Sequence, residues 1–92
     1  MALFDKEHFG KPISVELSDY LRTYTDSQDW ANASIATNVS TSTIRDVIYR
    51  KNSVTENNSG AIIQLMRTAI KNCEQNIVKS TEAKEELETM LS

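Results

Sequence analysis

Thr41, Ser42 and Thr43 are three successive hydroxyls, and Arg45 follows two residues later. A hydroxyl donates and accepts, and a guanidinium offers five donors in a rigid planar fork. Such a set suits hydrogen bonding to phosphates and to the edges of bases, with Arg45 placed for a bidentate contact to guanine. Nothing else in the chain forms a bond-making set. His8 is the only histidine and stands beside Glu7, with no partner in sequence to activate it. There is no glycine-rich phosphate loop, and the carboxylate pairs Glu85-Glu86 and Asp26-Asp29 read as solvated faces or helix starts. The single cysteine, Cys73, cannot pair within the chain or build a cysteine-based metal site, and is expected as a small buried helix residue. The expectation is a non-enzyme with no cofactor and no metal.

The residues around the hydroxyls define how they must be held. Asn38 is the non-glycine residue best suited to a left-handed turn, Val39 is an apolar plug, and Ser40 is placed to cap a helix beginning at Thr41. Over 41 to about 50, Ile44, Val47 and Ile48 fall on one side with Val39. That leaves Thr41, Ser42, Arg45, Asp46 and Tyr49 facing outward, and Arg50, Lys51 and Ser53 at the exit. A tight turn followed by a short helix with a polar N-terminal face is the layout that enters the major groove of double-stranded DNA. The candidate DNA-binding set is therefore Ser40, Thr41, Ser42, Thr43, Arg45, Asp46, Tyr49, Arg50, Lys51 and Ser53.

The run Asn38-Val39-Ser40-Thr41-Ser42-Thr43-Ile44-Arg45-Asp46-Val47-Ile48 resembles the Gly-Val-Ser-x-x-Thr-Val-x-x-Val-Leu segment of bacterial helix-turn-helix repressors of the lactose-repressor and lambda-repressor-like kinds. The following Arg50 to Asn57 resembles the segment those families place before their next helix. The likeness runs from about Trp30 to Leu65. It implies that Ser40, Thr41, Ser42, Arg45 and Asp46 face DNA and that the chain is a small transcriptional regulator, expected to act as a repressor. Three positions depart from the pattern: Asn38 replaces the turn glycine, Ser34 the usual alanine, and Thr37 an apolar residue before the turn.

Two glycines and one proline in 92 residues, with no strand-like alternation, predict an all-α chain of four to five helices. A first helix is expected after Pro12, capped by Ser14, with Val15, Leu17, Leu21 and Tyr24 inward. A second runs from about Ser27 to Thr37, started by a Thr25/Gln28 capping box or by Ser27, with Trp30 in the core. Thr55 caps a long C-terminal helix. Its Ile63, Met66, Ile70, Cys73 and Ile77 recur at alternating spacings of three and four, and the register resumes at Leu87 and Leu91. Ile63, Met66, Ile70, Ile77, Leu87 and Leu91 are accordingly expected to join two copies into a homodimer.

The length allows one domain: a leader over 1–12 in which Phe4 and Phe9 pack on the domain or a partner, a helix-turn-helix domain over 13–78, and a helical tail over 79–92. The net charge of −3 hides a segregation, with +3 between 38 and 73 and −3 on either side. No apolar run reaches a membrane span, and Met1 to Gly10 does not read as a secretory signal, so a cytoplasmic location without membrane contact is expected. No small-molecule effector is evident. A second reading makes the chain a non-enzymatic adaptor, antitoxin-like or antirepressor-like, that works through the C-terminal helix.

Overall fold

The structure is a computed structural model that describes residues 9–75 and 77–92, apart from the side chains of 75–82. Five helices follow in order: α1 (Val15–Tyr24), α2 (Ser27–Thr37), α3 (Thr41–Ile48), α4 (Glu56–Gln75) and α5 (Ile77–Leu91). No strand occurs among the described residues, so the fold is all-α.

Local signals set the helix ends. Ser14 caps α1 and accepts from the Leu17 amide at 3.1 Å. Ser40 does the same for α3, accepting from the Thr43 amide at 3.2 Å. Thr55 and Asn58 cap α4 reciprocally: each side-chain oxygen accepts from the other's backbone amide. The start of α2 differs from expectation. Asp26 and Asp29 form the capping box there, not Thr25 with Gln28 and not Ser27. Thr25 is turned inward, where its hydroxyl donates to the Leu21 carbonyl and accepts from the Trp30 indole nitrogen at 2.9 Å. A carboxylate accepts from backbone amides more strongly than a hydroxyl, which leaves Thr25 available for the interior.

α1, α2, α3 and α5 all pack against α4. The core holds Leu17 and Leu21 of α1, Ala33 of α2, Ile44, Val47 and Ile48 of α3, and Ile62, Leu65, Met66, Ala69 and Cys73 of α4. Val15, expected inward, is exposed, and Trp30 is half-buried rather than enclosed. No buried side-chain polar atom among the described residues lacks a partner.

The C-terminal third corrects the expectation of one continuous helix. A straight helix over 56–91 would extend about 54 Å, yet the longest dimension of the molecule is 34 Å. The chain reverses after α4, and Lys84 on α5 comes back to 3.9 Å from Glu74. Ala83 and Leu87 thereby join the same core as α1 to α4. Residues 83–91 are therefore part of one domain and not a separate tail. Met66 and Leu87, expected to join two copies, are fully enclosed in the single chain and have no surface to offer a partner. Leu91 and Ile70 also pack on this core, though half-exposed, and Ile63 is half-buried. The side chain of Ile77 lies outside the described residues. The adaptor reading through α5 likewise loses Leu87, while Leu91 stays half-exposed.

Of the segment expected as a leader, Met1 to His8 lie outside the described residues, Phe4 among them. Residues 9–13 are tied to the domain. The Gly10 amide donates to the Val54 carbonyl at 2.8 Å, and the Val54 amide donates to Lys11 at 2.9 Å. Phe9 packs against the core and Ile13 is buried.

α5 is fastened to α1 by Tyr20, whose hydroxyl donates to Glu86 at 2.6 Å. Glu86 sits below the ordinary carboxylate range, first through its hydrogen bond with the Glu16 carboxyl and then through Tyr20. The Tyr20 hydroxyl is raised well above its usual value of 10, chiefly by that bond to Glu86. A depressed carboxyl stabilises the fold above its unfolded value and loses this as pH falls. A raised tyrosine stabilises below about 10 and loses this as pH rises. The melting temperature should thus fall at both edges. Tyr20→Phe should flatten the alkaline edge and reduce, without abolishing, the acid one; unchanged pH–melting curves would remove the fastener.

Candidate nucleic-acid interface

The turn between α2 and α3 is set by Asn38, whose φ of 59° and ψ of 31° lie in the left-handed region. Its amide donates to the Ser34 carbonyl and closes the end of α2. The chain then turns so that Val39 packs against the core and Ser40 starts α3.

The eight residues of α3 divide cleanly. Ile44, Val47 and Ile48 are wholly buried, while Thr41, Ser42 and Arg45 are exposed. Ser42, Arg45 and the capping residue Tyr49 are spaced by three and four, which aligns them as one outward stripe. Arg45 is the cation at its centre. Its side chain is 59% exposed, and among the described residues only its Nε approaches a carboxylate, Asp46 at 4.0 Å. The rest of the fork is open to a ligand.

Several expected contact residues are committed elsewhere. The Ser40 hydroxyl accepts from the Thr43 amide and donates to the Thr43 hydroxyl at 2.8 Å, so this pair serves the cap. The Ser53 carbonyl accepts from Asn58, and Ser53 is half-buried. Arg50, expected along the phosphate path, instead closes α3. It takes a left-handed φ of 64°, its amide donates to Val47, and the Lys51 amide reaches back to Asp46. This is the Schellman arrangement, with arginine at the position glycine usually fills. The Arg50 Nε donates to the Ile13 carbonyl at 2.7 Å, which anchors the exit to the N-terminal segment. Arg50→Ala keeps the strained backbone and loses that bond, so it should cost about 1–2 kcal/mol in urea unfolding. Arg50→Gly loses the same bond but relieves a backbone cost of about 1 kcal/mol, and should be nearly neutral. Equal losses for the two variants would count against this account.

Tyr49 is exposed at the end of α3. Its ring meets Trp30 of α2 edge-on, with centroids 6.4 Å apart and planes at 90°. The Arg22 guanidinium of α1 lies 5.7 Å from the Tyr49 ring centroid. Beside this stack a hollow of about 260 Å³ is lined by Ser27, Trp30, Thr41, Ser42 and Arg45. The starts of α2 and α3 therefore open onto one concave surface with a guanidinium at its edge. Arg22, Ser27 and Trp30 were not among the residues expected at this surface. Their own helices carry no local signal for it; only the docking of α1 and α2 on α3 brings them there. A second hollow, about 490 Å³, lies on the other side of the turn between Asn38, Ser40 and the start of α4 at Thr55 and Asn57.

Of the sequence-derived set, the surface thus brings together Thr41, Ser42, Arg45 and Tyr49, with Asp46 partly exposed beside them and Lys51 exposed just past the exit. No helix of the described residues is long and apolar enough to cross a membrane. Compared with protein-family models, curated proteins and solved structures, the chain matches none.

Proposed function

We propose that this chain is a small cytoplasmic regulator of transcription, a repressor by its resemblance, that binds double-stranded DNA by laying α3 in the major groove. The observation that carries this reading is the two-sided division of α3: three residues wholly buried on one side, and Ser42, Arg45 and Tyr49 aligned on the other. Thr41 and Ser42 sit at the helix start, where side chains reach base edges, and Arg45 follows one turn later. Lys51, beyond the helix, supplies charge to a phosphate. The net positive charge of residues 38–73 supports the same reading.

An eight-residue helix makes few base contacts, so sequence-specific binding calls for two copies on neighbouring half-sites. Of the residues expected to pair them, Ile63 and Ile70 on α4 and Leu91 on α5 retain some exposure.

The test is a salt titration of binding to duplex DNA. Affinity should fall steeply as salt rises, because phosphate contacts release bound cations. Absence of binding to any duplex at low salt would end this reading.

A further inference from the structure

We propose that Arg22 is a further DNA-contact residue, gripping a backbone phosphate beside the groove that α3 enters, and that Tyr49 is the residue that positions it. The proposal rests on the DNA-binding reading of α3 and adds α1 to the interface.

A chain of anchored groups leads from the core to the Arg22 guanidinium. Ser18 of α1 is buried, and its hydroxyl donates to the Ile48 carbonyl at the end of α3 at 2.5 Å. Arg22 stands one turn further along α1 and so lies over the same end of α3. There its guanidinium lies 5.7 Å from the Tyr49 ring centroid. That ring is held in turn by Trp30, whose indole nitrogen is fixed to the buried Thr25 hydroxyl at 2.9 Å. The Arg22 Nε donates to the Ser18 carbonyl, and one terminal nitrogen meets Asp19. Among the described residues the remaining donors have no partner, and the side chain is 40% exposed.

An ordinary surface arginine loses much rotamer freedom when it grips a ligand. Here the ring and the Ser18 carbonyl have already limited that freedom, which favours binding. Tyr49 lies in line with Ser42 and Arg45, so a duplex placed against that stripe runs past Arg22 at its flank. A guanidinium outside the groove meets the phosphodiester rather than a base, and carries no sequence information. Asp19 beside it is a negative charge facing the same phosphates.

The experiment uses the whole chain and a random-sequence duplex titrated with salt. Arg22→Ala should remove about one phosphate contact, shrinking the affinity lost between about 50 and about 200 mM salt by about threefold. The effect should be equal for every sequence, and Asp19→Asn should strengthen binding to all of them. Tyr49→Phe keeps the ring that holds Arg22, so its salt slope should exceed that of Tyr49→Leu by about one contact. Tyr49→Leu should reproduce the Arg22→Ala slope, and adding Arg22→Ala to it should change little more. Thermal melts identify any variant that fails to fold, and if Tyr49→Leu does, Arg22→Ala alone decides. An unchanged slope in Arg22→Ala, while wild type binds, overturns this inference and leaves the reading of α3 intact. Failure of wild type to bind duplex overturns both.

Discussion

Leu87→Ala is expected to destabilise the fold by about 2–5 kcal/mol. Leu87 is wholly enclosed in the core that joins α5 to α1 and α4. Truncating it removes three carbons from a packed interior, and the loss combines their transfer free energy with the cavity left behind. A domain of this length is stable by only about 5–14 kcal/mol, so the substitution takes a large share. The melting temperature should drop by about 10 °C or more. Equilibrium unfolding in urea should show the same loss at any protein concentration. A leucine that joined two copies would behave otherwise: its replacement would leave the folded single chain intact, and its effect would shrink as concentration rises. Glu85→Ala and Glu88→Ala, on exposed positions of the same helix, should change stability by less than about 0.5 kcal/mol. Deleting residues 84–92 should cost the fold itself, since it removes Leu87 together with the Tyr20–Glu86 bond.

The contrast between α3 and α5 marks what this sequence discloses and what it withholds. α3 is short, strongly two-sided and flanked by residues with specific local chemistry: Asn38 for the left-handed turn, Ser40 for the cap. Each signal acts within four residues, so the inward set of Ile44, Val47 and Ile48 follows from spacing alone. For α5 the decisive event is a reversal after residue 75, with no glycine or proline there to announce it. The heptad spacing of Met66, Leu87 and their neighbours is real. Spacing records only that a face is buried, and is silent on whether the chain's own helix or a second copy covers it. The same limit applies to the outer surface. Tyr49 and Arg50 are adjacent polar residues in sequence, yet one lies under a guanidinium of α1 and the other closes a helix by bonding to Ile13. Those roles depend on contacts across 27 and 37 residues, which no local pattern encodes.

These long-range roles narrow the expected contact set and so sharpen what Arg45 must do. With Ser40 and Thr43 bonded to each other and Arg50 holding Ile13, Arg45 remains the one cation on the outer stripe of α3. Its open terminal nitrogens match the paired acceptors on a guanine edge, a contact that discriminates bases by about 1–3 kcal/mol. Arg45→Ala should therefore compress the affinity ratio between a selected site and random duplex by up to about a hundredfold, at the position it reads. Lys51 is exposed beyond the end of the helix and has a single flexible ammonium, so on the DNA-binding proposal it would act on phosphates without regard to sequence. Lys51→Ala should weaken all duplexes alike and lower the salt slope by about one contact. Parallel selection of binding sites with the two variants separates the roles. The reverse pattern, with Lys51 setting preference and Arg45 only the salt slope, would mean that DNA lies against a different face of α3. Asp46 provides an internal control: among the described residues its carboxylate is the one negative charge beside the Arg45 fork. Asp46→Asn should raise affinity for every sequence while leaving the preference in place, because it removes repulsion from the phosphates and leaves the fork where it is.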